Sequence, residues 1–382
     1  MKKFRLFTPG PCAVPEEVLL EMARPFHHHR TDWFKGYMKQ ATEKLQQVLC
    51  TRHEVIIITG SGTAAAEAAI VGCHPPGSKM LNFEGGKFGQ RWGEIAQQFG
   101  INVIRHEIEW GTAPDPQVIA DYLRKDRSIT SVMVVHSETS TATKCDLEAI
   151  GRVVRAAGRP VLLLADCITS AGALPLKPDE WGVDVVITGA QKSLMLPPGL
   201  GFLAISDRAW EVIEANKSQH AYYLNLSKAR KSAKENDTPF TPAHLLIRGL
   251  VTALNFLLEE GMENVWRRVA AMAAATRAAG EAIGLKVFSK SPSDSVTALC
   301  PPPGIAVKDI RNELERRYGI ESAGGQDQLK GKIFRLGHMG YVDEMDTVLA
   351  IAALEQVLYK LGHKFELGAG VTAAQKVLAE RL

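Results

Sequence analysis

The sequence predicts an α/β protein with a large domain built on a mostly parallel sheet, covered by helices on both faces, and a smaller C-terminal α/β domain. Three observations carry this. Between residues 54 and 205, short and nearly continuous apolar runs alternate with longer amphipathic segments, the rhythm of βα units whose strands are buried on both faces. That rhythm stops near residue 206, gives way to a polar stretch, and resumes on a smaller scale beyond residue 284. A chain of 382 residues is also too long for one small core, so one large and one smaller domain are expected.

Taken in order, residues 1–15 read as an extended segment containing Thr8-Pro9-Gly10-Pro11. Pro15 suits the first turn of a helix that starts near Glu16, and a second helix is expected over roughly Phe34 to Leu49. Strands are expected at 54–59, 79–83, 102–107, 131–136, 161–165, 184–188 and 201–205. Helices are expected near 63–72, 88–99, 116–125 and 146–157, with a short one at 168–172. Residues 218–242 are polar and basic, with a solvated stretch from Lys228 to Lys234 and a turn at Thr238-Pro239. A loop of that length in a compact chain serves a function or a partner. Helices at 243–259 and 262–283 follow, then strands near 285–289, 295–300 and 332–336 with helices near 307–318 and 343–361. Gly368-Ala369-Gly370 sets off a last amphipathic helix to Leu382. The expected division is an N-terminal segment 1–15, a large domain 16–260 and a small domain 261–382.

The composition, 46% hydrophobic and 23% charged, is that of a soluble globular protein. A net charge of +3 argues against a nucleic-acid or anionic-membrane surface but leaves room for small anionic substrates. The six cysteines are scattered without a Cys-x-x-Cys pair. This excludes the usual zinc and thioredoxin spacings and reads as reduced thiols in a cytoplasmic protein. No signal peptide and no apolar run approaching the ~20 residues of a membrane span are visible.

Lys192 ends the apolar run Val185-Val186-Ile187-Thr188-Gly189-Ala190-Gln191, and Asp166 ends the preceding run Val161-Leu162-Leu163-Leu164-Ala165. Singly, such residues are a solvated lysine and a turn aspartate. Together, at the ends of successive strands, they suggest an organic cofactor held between them. Pyridoxal phosphate (PLP) needs this pair, an amine for a Schiff base and a carboxylate that keeps the pyridine nitrogen protonated.

Other motifs lie along the same edge. Gly60-Ser61-Gly62-Thr63-Ala64-Ala65-Ala66 opens a helix after a strand, which suits a phosphate. It also fits a loose dinucleotide fingerprint with Glu84 near the place of a ribose acid, or a plain tight turn. His136-Ser137-Glu138-Thr139-Ser140-Thr141 puts several hydroxyls at a strand end, serving either a ligand or the cap of the next helix. Phe88, in a glycine-rich segment, is suited to stack on a flat ring or to fill core. Arg335, in the apolar strand Lys332-Ile333-Phe334-Arg335-Leu336-Gly337, is suited to a substrate α-carboxylate or to a structural ion pair. His27-His28-His29 cannot all face one metal ion, and no second cluster completes a site.

These residues, in this order, resemble class V PLP-dependent aminotransferases, specifically the alanine–glyoxylate / serine–pyruvate branch. The likeness runs from Thr8-Pro9-Gly10-Pro11 through His29-Arg30-Thr31, Gly60–Thr63, Phe88-Gly89-Gln90-Arg91, His136–Thr141, Ala165-Asp166, Gly189–Lys192, Pro197-Pro198-Gly199 and Thr238-Pro239 to Phe334–Gly337. It implies fold type I of PLP-dependent transferases, with Lys192 and Asp166 catalytic. Gly62, Thr63 and Gln191 would hold the phosphate, helped by Thr238 of a neighbouring subunit. Thr139 would lie at the ring's phenolic oxygen, and Phe88 would stack where relatives often carry tryptophan. Arg335 would bind the substrate carboxylate, with Gly10 near a small substrate side chain. It further implies a homodimer and ping-pong transfer from alanine or serine to glyoxylate or pyruvate. Glu235 stands where some relatives have a tyrosine. Gln191, directly before the lysine, disfavours cysteine desulfurases, which place a histidine there. His29-Arg30 is shared with phosphoserine aminotransferase, but the second His-Arg pair near Arg335 is absent. A nicotinamide-dependent dehydrogenase and a non-catalytic hydrogenase-associated subunit are the remoter alternatives.

Overall fold

A computed structural model describes residues 3–25 and 27–381; the expected chain ends at Met1-Lys2 and Leu382 lie outside them. Seven strands form the main sheet in the order Glu54–Thr59, Leu200–Ile205, Val185–Gly189, Leu162–Asp166, Ser131–Val135, Lys79–Glu84, Asn102–Glu107. All pairings are parallel except those of Leu200–Ile205, which runs antiparallel to both neighbours. The reason is local: residues 190–199 form a turn too short for a crossover, so the chain must return antiparallel. The other six strands therefore end on one edge of the sheet.

Alternate residues of these strands feed two different cores. Val55, Leu81, Val132, Leu163, Val186 and Phe202 belong to one cluster. Ile56, Met80, Met133, Leu164, Ile187 and Leu203 belong to the other. Burial on both faces is what makes the strands read as continuous apolar runs. The alanine-rich helix Gly62–Cys73 covers the second face together with Trp92 and Trp210.

At one end of the sheet, Glu84 is buried, and its carboxylate accepts Arg105 Nε (2.5 Å) and Nη2 (2.9 Å) and Asn82 Nδ2 (2.9 Å). Removing it takes one acceptor from a buried amide, which keeps its bond to Gly89 O, and, among the described residues, the only carboxylate bonded to a half-buried guanidinium, which keeps its bond to Gln97. Glu84→Ala should therefore cost about 2–3 kcal/mol in urea-induced unfolding; an unchanged midpoint would contradict this.

A smaller C-terminal unit carries the sheet Lys286–Val287, Val296–Cys300, Phe334–Gly337, Ala323–Gly324. Helices Met262–Ala282, Val307–Tyr318, Glu344–Lys360 and Ala369–Arg381 pack around it. The N-terminal segment reaches across to this unit: Arg5–Leu6 pairs in parallel with Ile320–Glu321, and Gly337 N–H donates to Phe7 O (2.6 Å). Among the described residues no helix is long and apolar enough to cross a membrane.

The structure corrects several expectations. Residues 168–172 are a turn, closed by Ala171 N–H to Cys167 O (2.8 Å) and broken by the positive φ of Gly172. The polar stretch 218–242 contains the helix Leu226–Ala233, capped by Asn225. Its Arg230 is not simply solvated: it pairs with Glu54 (2.7 Å) and Glu214 (2.5 Å) and lies 4.4 Å from the Trp210 ring. The strand expected at 285–289 shrinks to Lys286–Val287, and that expected at 332–336 is Phe334–Gly337. A short hairpin, Ser137–Glu138 with Thr143–Lys144, was not expected.

Candidate active site

Lys192 and Asp166 meet at the strand-end edge, both almost fully buried. Asp166 closes its strand, and its two oxygens accept from Trp92 Nε1 (2.9 Å) and Ile168 N–H (2.8 Å). Burial first, and then the neighbouring Glu138 charge, push its carboxyl up to about 7. Lys192 Nζ donates to Pro9 O (2.5 Å). Burial depresses its pKa; Cys12 and Asp166 oppose that, while Arg335 and Arg91 add to it. Burial thus moves the two groups towards each other, the acid up and the amine down.

Gly10 fits against this lysine. Its φ of +100° suits glycine, and a Cβ there would collide with the Lys192 side chain. Gly62 opens its helix directly over Ile168; a Cβ would stand 2.7 Å from Ile168 Cδ1. The Thr63 hydroxyl accepts from Arg91 Nη1 (3.3 Å), and the Arg91 guanidinium sits 4.9 Å from the Phe88 ring. Phe88 lies in the first turn of the helix Lys87–Gln98, one turn before Trp92. Gln191 Oε1 is buried without a hydrogen-bond partner and lies beside Gly189, as does the Gly62 N–H. The Thr139 hydroxyl meets the Thr169 hydroxyl at 2.5 Å.

Arg335 enters from the smaller unit. Nη1 donates to Thr139 O (2.7 Å), and Nε and Nη2 donate to Gly324 O (3.0 and 2.7 Å). Among the described residues it forms no ion pair, so the structural ion pair weighed above is not what holds it. Burial lowers its pKa to about 10. A buried guanidinium fixed by carbonyls alone has the planar donor geometry to accept a carboxylate.

Thr238 has no hydrogen bond to these residues: its hydroxyl donates to Phe240 O (2.6 Å), and its carbonyl accepts from Arg30 Nη1 (2.7 Å). The dinucleotide reading loses its acid, because Glu84 is committed to Arg105. His27 packs on Trp33 with ring centroids 4.6 Å apart, and the His28 and His29 rings pack on each other. The reading of the sequence missed Trp92 and gave Glu138 no role. Trp92 was within reach, since one helical turn separates it from Phe88 on the same face.

The Asp166 environment makes a pH prediction. A folded-state pKa raised above the unfolded carboxylate value means that folding favours the protonated form. This contribution is present at low pH and is lost as pH rises from about 4 to about 7. In the cofactor-free protein, the difference in unfolding free energy between wild type and Asp166→Asn should drift against wild type over that window and flatten above it. Parallel pH curves for the two proteins would refute the assignment.

Residues 6–337 match the family model described as aminotransferase class-V. The chain belongs to the class V aminotransferases. It is 42% identical over 382 residues to the soluble hydrogenase 42 kDa subunit of Anabaena cylindrica, covering 99% of each chain. It is 38% identical to the serine–glyoxylate aminotransferase of Methylorubrum extorquens, over 98% of this chain and 96% of that protein. The crystal structure of ureidoglycine–glyoxylate aminotransferase from Bacillus subtilis superimposes with a TM-score of 0.92 at 31% identity, covering 99% of each chain. As this class V aminotransferase, the chain has the fold type I architecture of a seven-stranded, mostly parallel sheet with a smaller C-terminal domain. The family is typically PLP-dependent, and the site's chemistry fits that group: a buried amine, a buried acid, an unpartnered Gln191 oxygen and a helix start with free N–H groups.

Proposed function

We propose that this aminotransferase moves the amino group of a small amino acid, alanine or serine, to glyoxylate or pyruvate in a ping-pong cycle, with PLP held at Lys192. The observation that carries the reading is the convergence of Lys192, Asp166 and a carbonyl-fixed, unpaired Arg335 on one buried edge. The Methylorubrum and Bacillus proteins differ in the amino donor that they are named for but share glyoxylate, which favours glyoxylate as acceptor.

When bound, PLP supplies an electron sink that stabilises the carbanion left after an amino acid loses its α-proton. Lys192, with its pKa lowered by burial, is the base that takes this proton and the acid that returns it. Asp166, aligned by Trp92 and the Ile168 N–H, holds a negative charge against the ring nitrogen. Gly62, Thr63 and Gln191 are the phosphate contacts of the protomer, and Thr238 of a second subunit completes them, which makes the active form a homodimer. Thr139 borders the ring's phenolic oxygen, and Phe88 supplies its stacking face. Arg335 orients the α-carboxylate, and Gly10 leaves room for a small substrate side chain only.

The test is a half-reaction screen. Purified holoprotein is mixed with single amino acids, and loss of the cofactor's visible band is followed. Bleaching by alanine or serine, with recovery on adding glyoxylate, is the expected result. The Anabaena relative's name supports a second reading, a non-catalytic role beside a hydrogenase. Cofactor uptake without bleaching by any amino acid would favour it, and a protein that takes up NAD but not PLP would sink both.

A further inference from the structure

The helix Lys87–Gln98 carries both Phe88 and Trp92, yet it starts at Gly86, which has no side chain to cap it. Its first N–H groups are satisfied from another segment. Glu138 Oε2 accepts from Phe88 N–H and Gly89 N–H (both 3.1 Å), and Ser140 Oγ accepts from Lys87 N–H (2.9 Å). Glu138 Oε1 in turn accepts from Ser140 N–H (3.1 Å) and Ser140 Oγ (2.5 Å). Glu138 and Ser140 are buried. A Cβ on residue 86 would run into both, at 2.5 Å from Glu138 Cδ, so the glycine makes way for this borrowed cap. A carboxylate at a helix N-terminus also complements the helix dipole. Between these two residues, the Thr139 carbonyl holds Arg335.

We infer that Glu138 is a positioning residue: its carboxylate, through the N-terminus of helix Lys87–Gln98, sets where Phe88 faces the cofactor and where the Trp92 indole N–H meets Asp166. The inference rests on the reading of the Lys192 edge as a PLP site. Glu138 touches none of the reacting atoms. It acts through the Trp92–Asp166 bond and the stacking face, whereas the two bonds of Arg335 to Gly324 O do not involve Glu138. Loss of Glu138 should therefore affect cofactor affinity and kcat more than substrate KM.

The exchange measurement uses the full chain with ¹⁵N-labelled indole nitrogens and no cofactor, and the kinetic readouts use the same chain with PLP added. The Trp92 N–H signal, assigned by its disappearance in Trp92→Phe, should be protected from solvent exchange in wild type. Glu138→Gln sets an amide NH₂ against groups that are themselves donors. Protection of Trp92 should fall by at least roughly tenfold, PLP affinity of the apoprotein by a similar factor, and kcat tenfold to a hundredfold, with the amino-acid KM within about threefold. Unchanged Trp92 protection in Glu138→Gln overturns the inference even where wild type takes up no PLP, a result that would instead sink the cofactor reading. Unchanged PLP affinity and kcat overturn it as well. Should Glu138→Gln fail to fold, Ser140→Ala removes the acceptor of the Lys87 N–H and should give the same changes at smaller amplitude; a Ser140→Ala protein identical to wild type in all readouts overturns the inference.

Discussion

Lys192→Ala is expected to reduce transamination by at least about a thousandfold while leaving the fold intact. The amine has two duties in the proposed cycle, covalent attachment of the cofactor and proton transfer at the substrate α-carbon, and no neighbour can take over either. Asp166 is engaged by Trp92 and Ile168, Arg335 does not give up a proton near neutral pH, and Cys12 is held protonated by burial, which pushes its thiol up to about 12. Folding should tolerate the change, since the lost contact is a single hydrogen bond to Pro9 O, worth about 1 kcal/mol, and the substitution removes a buried amine that is costly to charge. The measurement pairs steady-state turnover with borohydride reduction and peptide mapping. Wild type should carry the reduced cofactor on Lys192, and the variant should carry none. Turnover retained at wild-type level would refute the assignment of Lys192.

How much of this site is legible in the sequence depends on where each residue's partners lie along the chain. The seven main strands fell within a residue or two of their places because burial on both faces leaves an unbroken apolar run, and Asp166 and Lys192 are conspicuous as the polar residues that end such runs. Residues 168–172 misled because a stretch so short does not distinguish a turn from a helix; the left-handed Gly172 decided it. The helix Leu226–Ala233 was hidden because it buries little beyond Leu226 and so lacks an apolar stripe. The partners of Trp92 and Glu138 were hidden for a different reason, although the face that Trp92 shares with Phe88 was readable. Trp92 finds Asp166 across 74 positions, and Glu138 caps a helix about 50 positions earlier in the chain. Contacts of that range are set by sheet order, and periodicity carries no information about them.

The same principle explains why Arg335 was noticed but not placed. Its partner, the Thr139 carbonyl, is 196 positions away in the large domain. The two units are joined nearby by a cluster of buried hydroxyls, in which Ser137 Oγ meets Ser293 Oγ (2.7 Å) and Ser295 Oγ (3.0 Å), and Thr143 Oγ1 meets Ser289 Oγ (2.8 Å). A hydroxyl can both donate and accept, and beside this cluster Lys144 Nζ pairs with Asp294 Oδ2 across the same seam (2.7 Å). The guanidinium is thereby held at the large sheet's edge, bonded to carbonyls and, among the described residues, to no carboxylate.

Arg335→Ala should therefore weaken binding of both the amino acid and the keto acid by roughly a hundredfold, the worth of a desolvated, bidentate charge-assisted pair. PLP affinity should change little, because the phosphate and ring contacts are assigned to other residues. Arg335→Lys separates charge from geometry. A lysine keeps the cation but offers a point charge on a flexible stem in place of a planar fork that already spans Thr139 O and Gly324 O, so it should recover only a minor part of the loss. Both variants free the Gly324 carbonyl, and a stability cost of about 1–2 kcal/mol is expected alongside. The deciding comparison is between substrate KM and the PLP dissociation constant in the same protein. A rise in KM with unchanged cofactor affinity supports Arg335 as the carboxylate anchor. An unchanged KM in Arg335→Ala would show that the substrate is held elsewhere, and equal losses of cofactor and substrate would mean that Arg335 supports the architecture of the seam instead.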